Sequence, residues 1–378
     1  MNIAMSVRRR RKSVWLALAL SACSASVTLA QNDGVILSLM GQFDEPWAIE
    51  FLPDGRALIT EKPGSLKLLA GKNEIYDISG EPVVAYGGQG GLGDVVLHPD
   101  FATNQLVYLS YAEPGSGDTA GAAVARAYLE LTATGGTLSG LEVLWRQPKV
   151  PGQGHYSHRI AFDADGYLWI SSGERQLMSP AQQMDSNLGK IIRLHDDGSV
   201  PADNPFVDLG GVATQIWSLG HRNVLGIAFD PAGRLWGVEM GPQGGDELNL
   251  IVRGANYGWP LVSNGNHYDG TDIPDHSTRP EFRAPVLSAT PVVSPSSIIF
   301  YSGDDFPDWQ GDAFVSGLTV GTVSRLEFDG ESAREAQRWY FGTRIRAAEQ
   351  GPEGGIWLLE DGGLGRLVRF TRASQSPP

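Results

Sequence analysis

Arg222 and Asn223 are adjacent donors in WSLGHRNVLGIAF, at a turn between two strand-like runs, where an anionic or carbonyl-bearing ligand can be held. Gly241 and Pro242 follow the next run, RLWGVEM, and offer bare backbone carbonyls, the oxygen type that a hard cation such as calcium takes. Asp246 and Glu247 add carboxylates close behind. The runs LGIAF and RLWGVEM are joined by DPAG, a turn that closes a short hairpin and brings donors and carbonyls to one rim. Three chemistries thus meet within residues 217–256.

Other candidates lie outside this segment. His155, in GQGHYSH, follows two glycines, and a loop there can deliver its imidazole to a channel mouth as a general base. His158 is three positions on and faces the other way in an extended chain, so the two are not expected to share an ion. Glu174 closes LWISSGE on the same rim, a candidate for substrate contact. Gly88, Gly90 and Gly93 match a dinucleotide-loop spacing, but the following DVVLHPDF reads as strand and turn where a helix is required. These glycines are read as close-approach backbone, with Gln89 turned into a polar channel. Glu247 and Tyr257 flank DELNLIVRGANYGW, where a second cation can use a carboxylate with backbone oxygens. Arg344 and Arg346 are two apart, so on a strand both project from one face. Their guanidiniums repel unless an anion lies between them, and each can clamp a carboxylate bidentately.

The elements that must position these groups are strands. With 378 residues, 48 glycines, 23 prolines and 19% charged residues, the chain suits many short strands joined by turns. A phrase of Pro/Asp/Gly turn plus apolar strand recurs at Gly55, Asn104, Gly166, Gly233, Gly311 and Gly354. The intervals are blade-sized with insertions, which predicts an all-β fold, a six-bladed β-propeller with four-stranded antiparallel blades. A seven-bladed ring is the main rival. One domain is expected over 31–372, closed by pairing of 35–39 with the last repeat, and 373–378 form a frayed tail.

Residues 1–30 read as an export signal: RRRRK, then VWLALAL, then small residues up to Ala30. Cleavage after Ala30 gives a soluble exported protein, whereas LSAC ending at Cys23, the one cysteine, is a lipobox that gives a lipid anchor. A periplasmic location, soluble or tethered, is expected, with no membrane-spanning segment and no disulfide framework. Loss of the signal removes five cations and no acid and takes the net charge from -14 to -19, which argues against a nucleic-acid partner.

Taken together, PWAIEFLPDGRALITEKPG, GGQGGLGDVVLHPDF, GHYSHRIAF, DSNLGKIIRL, GHRNVLGIAF, EMGPQGGDELNLI, NYGWP and TRIRAAEQGPEG resemble the soluble quinoprotein aldose (glucose) dehydrogenases, which use pyrroloquinoline quinone (PQQ) and calcium. The resemblance implies a six-bladed propeller with PQQ over the channel and oxidation of an aldose at C1 to the lactone. It implies His155 as the base, with hydride passing to PQQ and electrons then going to an external acceptor. Arg222 would stabilise charge at the quinone oxygens, Asn223 would hold the cofactor, and Arg344 and Arg346 would grip its carboxylates. The carbonyls of Gly241 and Pro242 would bind a Ca²⁺ that polarises the quinone. Gln89 would contact the sugar, and Glu247 with Tyr257 would match part of a structural calcium site. Two positions depart from the pattern: Thr319 stands where a cofactor-contacting lysine is usual, and Gly154 where the glucose enzymes often carry an acid. The competing readings are a calcium-dependent lactonase-type hydrolase, which needs several inward Asp, Glu and Asn ligands, and a non-catalytic glycan- or protein-binding propeller.

Overall fold

Every anchor turn of the repeat joins the first two strands of an antiparallel set of four. The computed structural model describes residues 28–32 and 35–372. The first set is Pro46–Phe51, Ala57–Glu61, Ser65–Gly71 and Glu74–Ser79, and the second is Leu92–Leu97, Leu106–Pro114, Thr119–Thr132 and Gly135–Arg146. The third is Ser157–Phe162, Leu168–Ser172, Lys190–Leu194 and Ile216–Leu219, and the fourth is Val224–Phe229, Leu235–Glu239, Asp246–Leu250 and Leu287–Ala289. The fifth is Pro295–Phe300, Ala313–Gly317, Thr322–Asp329 and Ser332–Tyr340. The last joins Ile345–Gln350, Ile356–Glu360 and Gly365–Arg372 to Val35–Phe43 from the other end of the chain, in the register Val35↔Arg372 to Phe43↔Gly365. The first two sets also touch edge to edge through a short parallel pairing, Gly136↔Ile78 and Thr137↔Ser79.

In every set the first strand has four buried residues and then two half-buried ones. It is covered on both faces, which explains apolar runs where one-sided strands would alternate. Each first strand packs against the first strand of the next set, and Ile345–Gln350 packs against Pro46–Phe51 to complete the circuit. The hydrophobic clusters lie between neighbouring sheets: Tyr108 and Val124 of the second set meet Ile160, Ile170 and Ile192 of the third, and Trp236 and Leu250 meet Ile298 and Ala313.

A strand Thr28–Asn32 adds to the outside of Val35–Phe43 and spans the cleavage point expected after Ala30. The rest of the leader, with Cys23, and the tail 373–378 lie outside the described residues. Among those described, no helix is long and apolar enough to cross a membrane.

Two features turn this stack of sheets into a platform. The first is a register slip at the start of all six first strands: Pro46/Ala48, Leu92/Val95, Ser157/Ile160, Val224/Gly226, Pro295/Ser297 and Ile345/Ala347. A bulge re-aims the side chain beside it, so all six strands redirect residues at the same end. The second is Arg159, a buried guanidinium of the third set. It donates to the Leu225 carbonyl at 2.9 Å, the Asp94 carboxylate at 3.0 Å and the Ser296 carbonyl at 3.0 Å. Those partners belong to three other sets. Its face lies 4.0 Å over the ring of Trp47, from the first set.

Removing Arg159 leaves the Asp94 carboxylate buried without its counter-charge and two carbonyls without a donor. Arg159→Ala is expected to cost roughly 3–5 kcal/mol in urea unfolding, with most of the loss persisting in Arg159→Lys, since an ammonium cannot reproduce the three-way fork.

Candidate active site

The bulged ends of the first strands surround an open polar cavity of about 250 Å³. Trp47, Leu225 and Arg346, each beside a register slip, line it, with Gln89 and Ser157. So do Lys62, Met240, Leu318 and Asp361, each of which directly follows the second strand of its set.

His155 and Glu174 meet beside this cavity. The His155 ring hydrogen-bonds through Nδ1 to Glu174 Oε1, and the His155 backbone N–H donates to Gln89 Oε1 at 2.7 Å. Burial lowers the imidazole pKa from 6.5, with the Glu174 bond opposing and Arg222 adding to the drop, so the ring is neutral at neutral pH. Glu174 is fully buried and accepts the Met178 N–H on its other oxygen. Both oxygens are therefore committed within the protein, and Glu174, expected from its rim position to contact substrate, is instead buried against the His155 ring. His158 is separate, as expected, although the geometry differs from an extended chain: His155, Ser157 and His158 all have positive φ, 48°, 56° and 56°. The His158 ring stacks on Trp47 and bonds to Ser110 Oγ. It passes so close to Gly93 that a Cβ there would lie 2.0 Å from it, a backbone approach only glycine permits.

Arg222 and Asn223 are held by Glu239, whose Oε1 accepts both their backbone N–H groups while Oε2 takes His221 Nδ1 at 3.1 Å. The Arg222 guanidinium donates to the Met240 carbonyl at 3.1 Å and lies 5.3 Å from the Trp259 ring. Its Nε is buried and, among the described residues, has no partner. Asn223 Oδ1 accepts from Ser157 Oγ at 3.0 Å, which links the fourth set to the third.

Arg344 and Arg346 do converge, and the protein itself supplies the anion between them. Asp361 accepts from Arg344 Nε at 2.6 Å on one oxygen and from Arg346 Nε and NH2 at 2.9 and 2.6 Å on the other. Burial alone would raise the Asp361 pKa, but the two guanidiniums bring it below the usual carboxylate range. Arg344 remains half exposed, so part of its fork is free to reach a ligand. Thr319 is exposed and its hydroxyl pairs with Ser294 Oγ, leaving Leu318 to face the cavity.

Gly241 and Pro242 lie with Arg222, Glu239, Glu247 and Tyr257 around a smaller cavity, and their carbonyls take no backbone hydrogen bond among the described residues. Asp246, read from the sequence as one more carboxylate for a cation, is committed: it accepts the N–H groups of Gly241 at 2.9 Å and of Val293 and Ser294 at 2.6 Å each. Glu247 is paired in register with Glu239, and burial together with that carboxylate pushes its pKa up to about 8. The Tyr257 hydroxyl is spent on Leu250 O and Val252 N–H, so only its carbonyl is a possible ligand atom. That carbonyl lies 3.1 Å from His276 Nε2, and Glu247 Oε1 lies 3.9 Å from His276 Nδ1. His276 therefore joins the neighbourhood of the second candidate cation position.

Asp361, Lys62 and Met240 escaped sequence reading, yet a signal existed. TEK, VEM and LED are one repeated phrase in which a buried glutamate ends the second strand and the next residue enters the cavity. Lys62 pairs with Glu45 at 2.8 Å and donates to the Gly88 carbonyl at 3.1 Å, so it also braces the loop carrying Gln89.

Four-stranded sheets that present an imidazole–carboxylate pair and three guanidiniums at one end define a recognisable class. The chain belongs to the glucose/sorbosone dehydrogenase family, whose model matches residues 43–369. Among particular relatives, it is 39% identical over 343 residues to the aldose sugar dehydrogenase YliI of Escherichia coli strain K12, covering 88% of this chain and 91% of that one. The apo-form crystal structure of soluble aldose sugar dehydrogenase from Escherichia coli matches with a TM-score of 0.84 at 38% identity, over 89% of this chain and 99% of the other. The PQQ-bound form of an aldose sugar dehydrogenase from Streptomyces coelicolor matches with a TM-score of 0.73 at 25% identity, over 90% and 99%.

Asp361→Asn keeps the shape of the arginine clamp and removes its charge. The variant should lose roughly 3 kcal/mol, and added citrate should raise its Tm more than that of the wild type, because an external carboxylate then fills the gap. Equal citrate shifts in the two proteins would show that the arginines do not need Asp361 as their counter-ion.

Proposed function

We propose that this protein is a PQQ- and Ca²⁺-dependent quinoprotein that oxidises aldose sugars at C1 to lactones, on a six-bladed propeller formed by the six strand sets. The buried Arg222 Nε, without a partner among the described residues, carries this reading. A guanidinium N–H desolvated beside a cavity and left unpaired costs about 1–3 kcal/mol, and an anionic or quinone oxygen is suited to complete its hydrogen bonding. PQQ would be held by Arg222 and Asn223 on one side and Arg344 and Arg346 on the other, with Ca²⁺ on the unpaired carbonyls of Gly241 and Pro242. When bound, PQQ supplies the acceptor for the hydride from C1, and Ca²⁺ the Lewis acid that draws charge toward the quinone oxygens.

The chain's own residues do the rest. With Nδ1 engaged by Glu174, His155 has Nε2 left to accept the proton of the anomeric hydroxyl. Its lowered pKa keeps that nitrogen free at neutral pH. Once the ring is charged, Glu174 stabilises the imidazolium at close range. Gln89, tied to the His155 backbone, sets the sugar beside the base. Thr319 gives no cation to the cofactor, so Arg222, Arg344 and Arg346 carry the charge recognition. Glu247 with the Tyr257 carbonyl forms part of a second, structural calcium site. An external acceptor takes the electrons onward, and the N-terminal signal places the work in the periplasm.

Reconstitution tests the reading. Apoprotein given PQQ and Ca²⁺ should reduce a redox dye with aldoses, both additions being required, and His155→Ala should lower kcat by about 10²–10⁴-fold. The acid limb of kcat/KM should have its midpoint below 6.5, since burial lowers the His155 pKa from that value and activity disappears only as the pH falls through it. No PQQ binding and no dye reduction with any sugar would overturn the assignment.

A further inference from the structure

Lys190 is 0% exposed. Its ammonium donates to three carbonyls, Pro180 at 2.7 Å, Ala181 at 3.0 Å and Leu188 at 2.7 Å. All three N–H bonds are used, and none goes to a carboxylate. Burial pushes the Lys190 pKa down to about 7, with the charge of Asp185 opposing the drop, so the three carbonyls are what hold the ammonium form in this cage. The acceptors all belong to one loop, 177–189.

That loop is connected to the site on two sides. The Met178 N–H donates to the second oxygen of Glu174. The Ala181 carbonyl also accepts the Gly220 N–H at 3.0 Å, and the Gly189 carbonyl accepts the His221 N–H at 3.1 Å, just ahead of Arg222. The entry to the loop is strained: Arg175, Gln176 and Met178 are non-glycine residues at φ of 59°, 59° and 61°. Such backbone persists where its surroundings over-determine it. A second buried cation works in the same way on the other side of the pair. Arg175 donates to the carbonyls of Gly154 at 2.9 Å and Gly152 at 2.5 Å and holds the turn before His155.

We propose that Lys190 is a positioning residue for the base: its ammonium acts as a built-in monovalent cation that organises loop 177–189, keeps the Met178 N–H on Glu174, and so fixes the imidazole of His155. The proposal rests on the reading of His155 as the base. Lysine is suited to the task because its compact ammonium spreads three donors around a point, which the planar fork of arginine cannot do.

Lys190→Ala opens a cavity bordered by three carbonyls. In the reconstituted enzyme, kcat should fall at least about ten-fold while the sugar KM changes little, as for a base that is present but misplaced. Millimolar methylammonium should restore much of the lost rate saturably, and tetramethylammonium, which has no N–H, should not. In the apoprotein, ¹⁵N-histidine NMR should show the His155 midpoint dropping in Lys190→Ala as its Glu174 bond weakens, and recovering with methylammonium. Lys190→Met, which fills the space without charge, covers the case in which the alanine variant does not fold; it should show the same loss of kcat and the same drop in midpoint. Wild-type kcat in Lys190→Met, or an unchanged His155 midpoint in a folded variant, would overturn the proposal. If instead the wild type oxidises no sugar with PQQ and Ca²⁺, the base reading fails, while the NMR titration still decides whether Lys190 controls His155.

Discussion

The three-way bond of Arg159 is the constraint on which the rest depends. A guanidinium from the third set donates to the second, fourth and fifth sets and lies on an indole from the first. Flat sheets packed face to face can slide, since apolar contact is non-directional. Directional bonds across the middle remove that freedom. Smaller links continue the work: Thr60 Oγ1 to the Gly93 carbonyl at 2.5 Å, and Ala348 N–H to Ser297 Oγ at 2.9 Å. A site assembled from residues 89, 155, 222 and 346 is only as precise as the relation between their sheets. These polar bonds between sheets are directional and supply that relation where the apolar cores alone do not.

On this base the site is built by repetition. Each first strand slips register at the same point, and three second strands end in a buried glutamate that accepts backbone N–H groups: Glu61 from Asp44, Glu239 from Arg222 and Asn223, Glu360 from Arg366. The residue after each of these glutamates enters the cavity. The fold thus provides equivalent stations, and their occupants, Lys62, Met240 and Asp361, differ in charge and size. Chemistry has been varied at fixed geometry.

The legible part of the sequence was the local part. Turn chemistry located the first strand junction of every set, and the glycines before His155 and around Gln89 marked backbone that approaches something closely. In the second set the turn is tightened by Gln105 at φ 54°, one residue beyond the anchor Asn104. Side-chain commitments made over long separations were not legible. Asp246 looks like a free carboxylate until the N–H groups of Val293 and Ser294 are seen on it, 47 and 48 residues away in sequence. Glu174 looks like a rim acid until His155 takes one oxygen and Met178 the other. The spacing of Arg344 and Arg346 correctly required an anion, and only the fold shows that Asp361 already provides one.

Pairing of Val35–Phe43 with Gly365–Arg372 makes the last sheet the most non-local contact in the molecule. Loop-closure entropy opposes that contact until the intervening sheets have drawn the ends together. Val35–Phe43, which carries Thr28–Asn32 on its outer edge, can therefore join Gly365–Arg372 only after those sheets are in place. The two strands thus hold the last sheet closed only together, and weakening either one opens the circuit of sheets at this seam.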